Sequence, residues 1–167
     1  MSKILLIKDS VVNLETDVIV NAANRNLREG GGVCGAIFTK ANSPLLQKEC
    51  DKLAPIETGG VAITNGYNLK AKYIIHAVGP VYKGDGSDEK LLASCYTNTL
   101  NVMKEHNLHS VGFPCISTGI FGYPLKEASE IAVKTVKKWI DDNKDYDVEV
   151  FFTCFKDEEY KIYKELI

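Results

Sequence analysis

Two stretches of the chain carry the residue types that hold an anion without help from a basic side chain. One runs Asn21-Ala22-Ala23-Asn24-Arg25-Asn26-Leu27-Arg28-Glu29-Gly30-Gly31-Gly32-Val33-Cys34-Gly35, the other Ser117-Thr118-Gly119-Ile120-Phe121-Gly122-Tyr123-Pro124. Glycines let the backbone approach a ligand closely, and N–H groups left open at a helix N-terminus cradle phosphate. Each stretch follows an apolar run and leads into an amphipathic one. Both are therefore expected beyond the carboxyl edge of a sheet, where open α/β folds bind ligands. The pair favours a pyrophosphate held between two loops, against the plainer alternative of glycines that merely shape long turns. Neither stretch matches G-x-G-x-x-G or G-x-x-x-x-G-K-[ST], so the dinucleotide fingerprint and the P-loop are excluded.

Other residues stay ambiguous by type alone. Asp9 and Asn24 read equally as turn caps, because short polar side chains bond their own backbone. Phe155 reads as core beside Phe151 and Phe152, whereas Phe121 sits in a glycine-rich loop that suits ligand contact better. Cys34 has no His, Asp or Glu beside it in sequence, and a thiol titrating near its ordinary pKa of about 8.5 is a poor base at neutral pH. A lowered pKa at a helix start would make it a nucleophile instead. His76, inside Ile74-Ile75-His76-Ala77-Val78, reads as a core histidine bonded to a neighbouring loop.

Four motifs in order, Asn21-Ala-Ala-Asn24, Gly30-Gly-Gly-Val33-x-Gly-Ala-Ile37, Tyr73-Ile-Ile-His-Ala-Val-Gly-Pro80 and Ser117-Thr-Gly-Ile-Phe-Gly-Tyr-Pro124, resemble the macro domain family and within it the MacroD-type branch. The resemblance implies a three-layer α/β/α domain that binds ADP-ribose. It further implies removal of mono-ADP-ribose from Asp or Glu side chains, or deacetylation of O-acetyl-ADP-ribose, with a non-catalytic reader or sensor of ADP-ribose as the alternative. By the same resemblance Asp9 takes the adenine amine, helped by the Ser10 N–H, and Phe155 packs on the base. Ala22, Gly32, Val33, Ser117, Thr118, Gly119 and Ile120 surround the phosphates, Phe121 packs on the distal ribose, and Asn24 orients the scissile bond. Cys34 stands where the branch typically has aspartate, and Phe38 where a histidine is common. At that position Cys34 is expected to act as a spacer, with no covalent intermediate.

The elements that must position these residues alternate along the chain. Strands are expected at Ile4–Lys8, Asp17–Val20, Gly60–Thr64, Tyr73–Val78, Ser110–Ile116 and Val148–Cys154, several of them continuous β-branched runs that suit burial on both faces. Helices are expected over Ala36–Ala41, over Leu45–Leu53 behind a Ser43-Pro44 start, from a Ser87-Asp88-Glu89 cap to about His106, after Pro124, and from Asp157 onward. The result is one α/β domain over residues 1–167 with a mixed, largely parallel sheet.

Composition narrows the partners. Of 167 residues 25% are charged, and the net charge of -2 offers no general attraction to nucleic acid or an anionic membrane. The five cysteines, without a C-x-x-C pair, are expected to be reduced thiols of a cytoplasmic protein. His76, His106 and His109 form no ligand cluster with them, so neither a metal nor another cofactor is expected.

Overall fold

The β-branched runs become the centre of a six-stranded sheet in a computed structural model that describes residues 1–167. In β2 (Val18–Ala23), Val18, Ile19 and Val20 are all fully buried. The other strands are β1 (Lys3–Ile7), β3 (Val61–Asn65), β4 (Tyr73–Val78), β5 (Ser110–Phe113) and β6 (Glu149–Thr153). The helices are α1 (Gly32–Ala41), α2 (Pro44–Leu53), α3 (Ser87–Glu105), α4 (Leu125–Asp142) and α5 (Asp157–Leu166). The sheet order is β1-β6-β5-β2-β4-β3, parallel except where β3 runs against β4. No helix is long and apolar enough to cross a membrane.

Because strand side chains alternate between faces, each central strand serves two cores. Val18, Val20, Ile75 and Ala77 pack under α3, α4 and α5 in a cluster of 24 buried residues. Ile19, Ala23, Ile74 and Val78 pack under α1 and α2 in a cluster of 14. The expected three layers and the mixed sheet are present.

Several boundaries move, each for a local reason. β2 continues to Ala23, so Asn21 and Ala22 lie on a strand and not in the loop. α1 begins at Gly32, four residues before the expected Ala36, and this puts Val33 and Cys34 in its first turn. At Gly35 the helix passes so close to the loop that a Cβ would lie 2.4 Å from the Gly30 carbonyl oxygen. β5 stops at Phe113 because Pro114 has no N–H to extend the ladder. Ser43 caps α2 as expected, accepting from the Leu45 N–H at 3.2 Å. Ser87 does not cap α3. Gly86 holds that position in a left-handed conformation, while buried Asp88 turns back to accept from the Lys83 N–H at 2.7 Å.

Candidate functional site

The carboxyl ends of β1, β2, β5 and β6 open onto two adjoining cavities. The larger, about 460 Å³, runs from Asp9 and Ser10 past Val12 and Ala36 to Thr153, Phe155 and Glu159. The smaller, about 260 Å³, is lined by Ala22, Cys34, Gly79, Ser117, Ile120 and Phe121 among others. Gly32, Val33, Cys115 and Gly119 line both. Here the two glycine-rich stretches meet.

Open backbone donors converge on that junction. The N–H groups of Gly32, Val33 and Cys34 precede the first internal bond of α1, which Gly35 makes to the Gly31 carbonyl. The N–H groups of Thr118, Gly119, Ile120 and Phe121 donate to no backbone acceptor. The second loop is instead closed from outside: Tyr123 N–H donates to the Ser117 carbonyl at 2.9 Å and Gly122 N–H to that of Gly119 at 2.9 Å. Thr118 Oγ1 donates to the Cys115 carbonyl at 3.0 Å. Ser117 itself adopts a left-handed φ of 66° and is 5% exposed, with its hydroxyl oxygen unpartnered. The hydroxyl packs against the backbone of Gly79, where a Cβ would come within 2.2 Å of it. Partial positive charge from a helix N-terminus and a ring of open N–H groups suits an anion.

The larger cavity ends at an acid and an aromatic. Asp9 Oδ1 accepts from Ser10 N–H at 2.6 Å and from Asn13 Nδ2 at 2.9 Å, leaving Oδ2 without a protein partner. The Asn13 amide, and after it the Ser10 N–H, holds this carboxyl below its ordinary pKa. The expected Ser10 N–H contact to a base is corrected here, because that N–H is already given to Asp9. Phe155 is 76% exposed and stands on the cavity wall, outside either core. Its N–H and that of Lys156 donate to Glu159 Oε1 at 3.0 and 2.9 Å, in a capping box that opens α5. Glu159 and Cys115 were not among the expected lining residues. A glutamate three positions after Lys156, ahead of an amphipathic run, is the signal that marks the first of these.

At the other end the smaller cavity holds Cys34 and, behind its wall, Asn24. Burial raises the Cys34 pKa, outweighing the Asn21 amide and the Gly30 N–H that would lower it. The neutral thiol donates to the Arg28 carbonyl at 3.4 Å. Asn24 gives both ends of its amide to Arg28, Nδ2 donating to the carbonyl at 2.9 Å and Oδ1 accepting from the N–H at 3.0 Å. A ribose contact by Asn24 requires those local bonds to exchange. Ile120 is 99% exposed at the rim, and Phe121 lines the cavity with its carbonyl accepting from Tyr82 N–H at 2.9 Å. His76 is bonded to strands on either side of it and not to a loop. Nowhere do three His, Cys, Asp or Glu side chains gather as metal ligands.

Comparison with known proteins places this arrangement. The family model described as Macro domain matches residues 20–132. The chain is 47% identical over 165 residues to ADP-ribose glycohydrolase MACROD2 of Mus musculus, covering 98% of this chain and 34% of that protein. It is 44% identical over 162 residues to Macro domain-containing protein CT2219 of Chlorobaculum tepidum, covering 96% of this chain and 93% of that protein. Among solved structures, the Trypanosoma brucei macrodomain in complex with ADP-ribose superimposes with a TM-score of 0.92 at 39% identity, over 98% of this chain and 68% of that one. The chain thus spans about a third of the length of the mouse relative.

Proposed function

The chain belongs to the macro domain family, and from that premise we propose that it binds ADP-ribose across the two cavities and hydrolyses the bond between ADP-ribose and a protein carboxylate. The carrying observation is the junction, where both cavities share Gly32, Val33, Cys115 and Gly119 beneath open N–H groups. A pyrophosphate there sends the adenosine into the larger cavity and the distal ribose into the smaller. Asp9 Oδ2 then accepts from the adenine amine, beside Ser10, and Phe155 packs on the base. Gly32, Val33, Ser117, Thr118, Gly119 and Ile120 hold the phosphates, with Ala22 on the wall. Phe121 packs on the distal ribose and Asn24 orients it. The name of the mouse relative and the ADP-ribose in the trypanosomal structure support this reading.

The chemistry asks little of the protein beyond placement. Water adds at the anomeric carbon of the distal ribose, the bond to the ester oxygen breaks, and the carboxylate departs as a stable anion that needs no general acid. The proton shed by the water passes to a phosphate oxygen of the substrate. Cys34, neutral and buried, is neither base nor nucleophile in this scheme. Neither a metal nor another cofactor takes part. O-acetyl-ADP-ribose, an ester of the same ribose, is a second substrate of the same site. The five free thiols support a cytoplasmic setting.

A second reading, a non-catalytic reader of ADP-ribosylated proteins, is favoured by one observation: Asn24 is wholly engaged by Arg28. One experiment separates the two. ADP-ribose is titrated by calorimetry, and release is measured from a substrate modified on Glu or Asp. Micromolar binding, about -8 kcal/mol, with release supports the hydrolase. Binding without release makes the protein a reader, and no heat at millimolar ligand rejects both.

A further inference from the structure

A line of polar side chains crosses the smaller core, and the proposed reaction uses none of them. Thr64 on β3, His76 on β4 and Asn21 on β2 are at most 2% exposed, set among apolar neighbours such as Ile19, Ile37, Leu46 and Ile74. Asn21 and His76 face one another in register on adjacent strands. Polar groups inside an apolar core are costly unless each bond is made.

The direction of each bond follows from its neighbours. Thr64 Oγ1 donates to the Asn65 carbonyl at 3.2 Å, so it accepts from His76 Nε2–H at 2.9 Å. His76 Nδ1 is then bare and accepts from Asn21 Nδ2 at 3.0 Å. Burial keeps this imidazole neutral, with its pKa pushed down to about 4. The same Asn21 nitrogen donates to Cys34 Sγ at 3.6 Å, and Cys34 donates onward to the Arg28 carbonyl at 3.4 Å. That carbonyl also accepts from Asn24 Nδ2, and the Arg28 N–H returns to Asn24 Oδ1. The chain of bonds runs from the far strand of the sheet to the asparagine beside the distal ribose end of the cleft.

We propose that Asn21 and His76 are positioning residues: held by Thr64, they seat Cys34, and through Cys34 the Arg28 carbonyl, so that the Asn24 carboxamide is kept at the ribose end of the cleft. This rests on the hydrolase reading above. A thiol suffices at position 34 because it accepts from the sheet on one side and donates to the loop on the other. Neither alanine nor serine reproduces both at sulfur's longer reach. Cys34 is on this account a link between sheet and loop.

The test uses the full chain. Imidazole 15N NMR should show His76 protonated on Nε2 and bare at Nδ1, unchanged between about pH 5.5 and 8. A proton on Nδ1 overturns the proposal without any variant. Asn21→Leu, Cys34→Ala and the double variant then form a cycle. Each single change should raise Arg28 amide exchange about tenfold and lower kcat roughly three- to tenfold, with ADP-ribose Kd within about threefold. The double variant should be no worse than the worse single one. Multiplying effects, or an Asn21→Leu that lowers Tm but leaves Arg28 exchange untouched, overturn it. Should Asn21→Leu not fold, Thr64→Val withdraws the acceptor of His76 Nε2–H and should raise Arg28 exchange about threefold; no change sinks the inference. A wild type that fails to bind ADP-ribose defeats the hydrolase reading, while the NMR and exchange results still judge this one.

Discussion

Cys34 and Asp9 stand at opposite ends of the cleft, and their surroundings give them opposite characters. Burial holds Cys34 as a thiol, whereas Asn13 and Ser10 hold Asp9 as a carboxylate. Cys34→Ala should therefore keep turnover within about tenfold of wild type, and Asn24→Ala should lose about a hundredfold, because misplacing the reacting ribose costs orientation. Single-turnover release measures both, and a mass-spectrometric adduct on Cys34 during turnover would overturn the assignment. Cys34→Asp places a carboxylate where Asn21 can donate to it, and should raise the rate by supplying a base. At the other end, Asp9→Ala removes an ionised acceptor. A hydrogen bond to a charged group is worth roughly 1.5–3 kcal/mol, so ADP-ribose should bind about ten- to a hundredfold more weakly. Tm should barely move, since Asp9 is exposed and packs against no core.

At the scale of elements, function depends on where α1 starts and how the second loop is tied. α1 begins at Gly32, and so the open N–H groups of Gly32, Val33 and Cys34 reach the junction. Gly119 lies opposite them with nothing near its missing side chain. Gly119→Glu should fold normally and abolish detectable ADP-ribose heat, because it sets bulk and negative charge where phosphate belongs. Retained micromolar binding would move the phosphate site elsewhere. The start of α5 is the counterpart at the adenine end. Glu159 closes the capping box and fixes the backbone that carries Phe155. Glu159→Ala should cost about 1 kcal/mol of stability and weaken ADP-ribose several-fold. In a Phe155→Ala background the affinity loss should vanish, which titration of the four variants would show.

For the whole molecule, the buried His76 links stability to pH. Its folded pKa lies near 4, pushed down by burial from an ordinary value of 6.5. Between these values the unfolded chain binds a proton that the folded one refuses, so stability falls as the pH drops from about 6.5 towards 4 and is flat above. The span corresponds to about 3 kcal/mol. Urea unfolding at pH 5 and pH 7 should show that slope, and His76→Gln should flatten it. The lowered carboxyls Asp9 and Asp85 act below this window and do not mask it.

The alternation of buried runs and amphipathic segments already determined six strands, five helices and a sheet covered on both faces, because burial periodicity is written locally. The two glycine-rich stretches marked the anion cradle for the same reason. Glycine at a strand-to-helix turn has few other uses. What the local pattern left open was decided by packing. Ser87 reads as a cap by type, yet Asp85, Gly86 and Asp88 close that turn among themselves. Asn21 reads as the end of a strand, yet it faces His76, 55 positions away, only because β2 pairs with β4 in that register. Cys34 had no ionisable neighbour in sequence, and the tertiary structure supplied its partners from a strand and a loop at once. Such contacts depend on strand order and crossover, which no short window of residues contains.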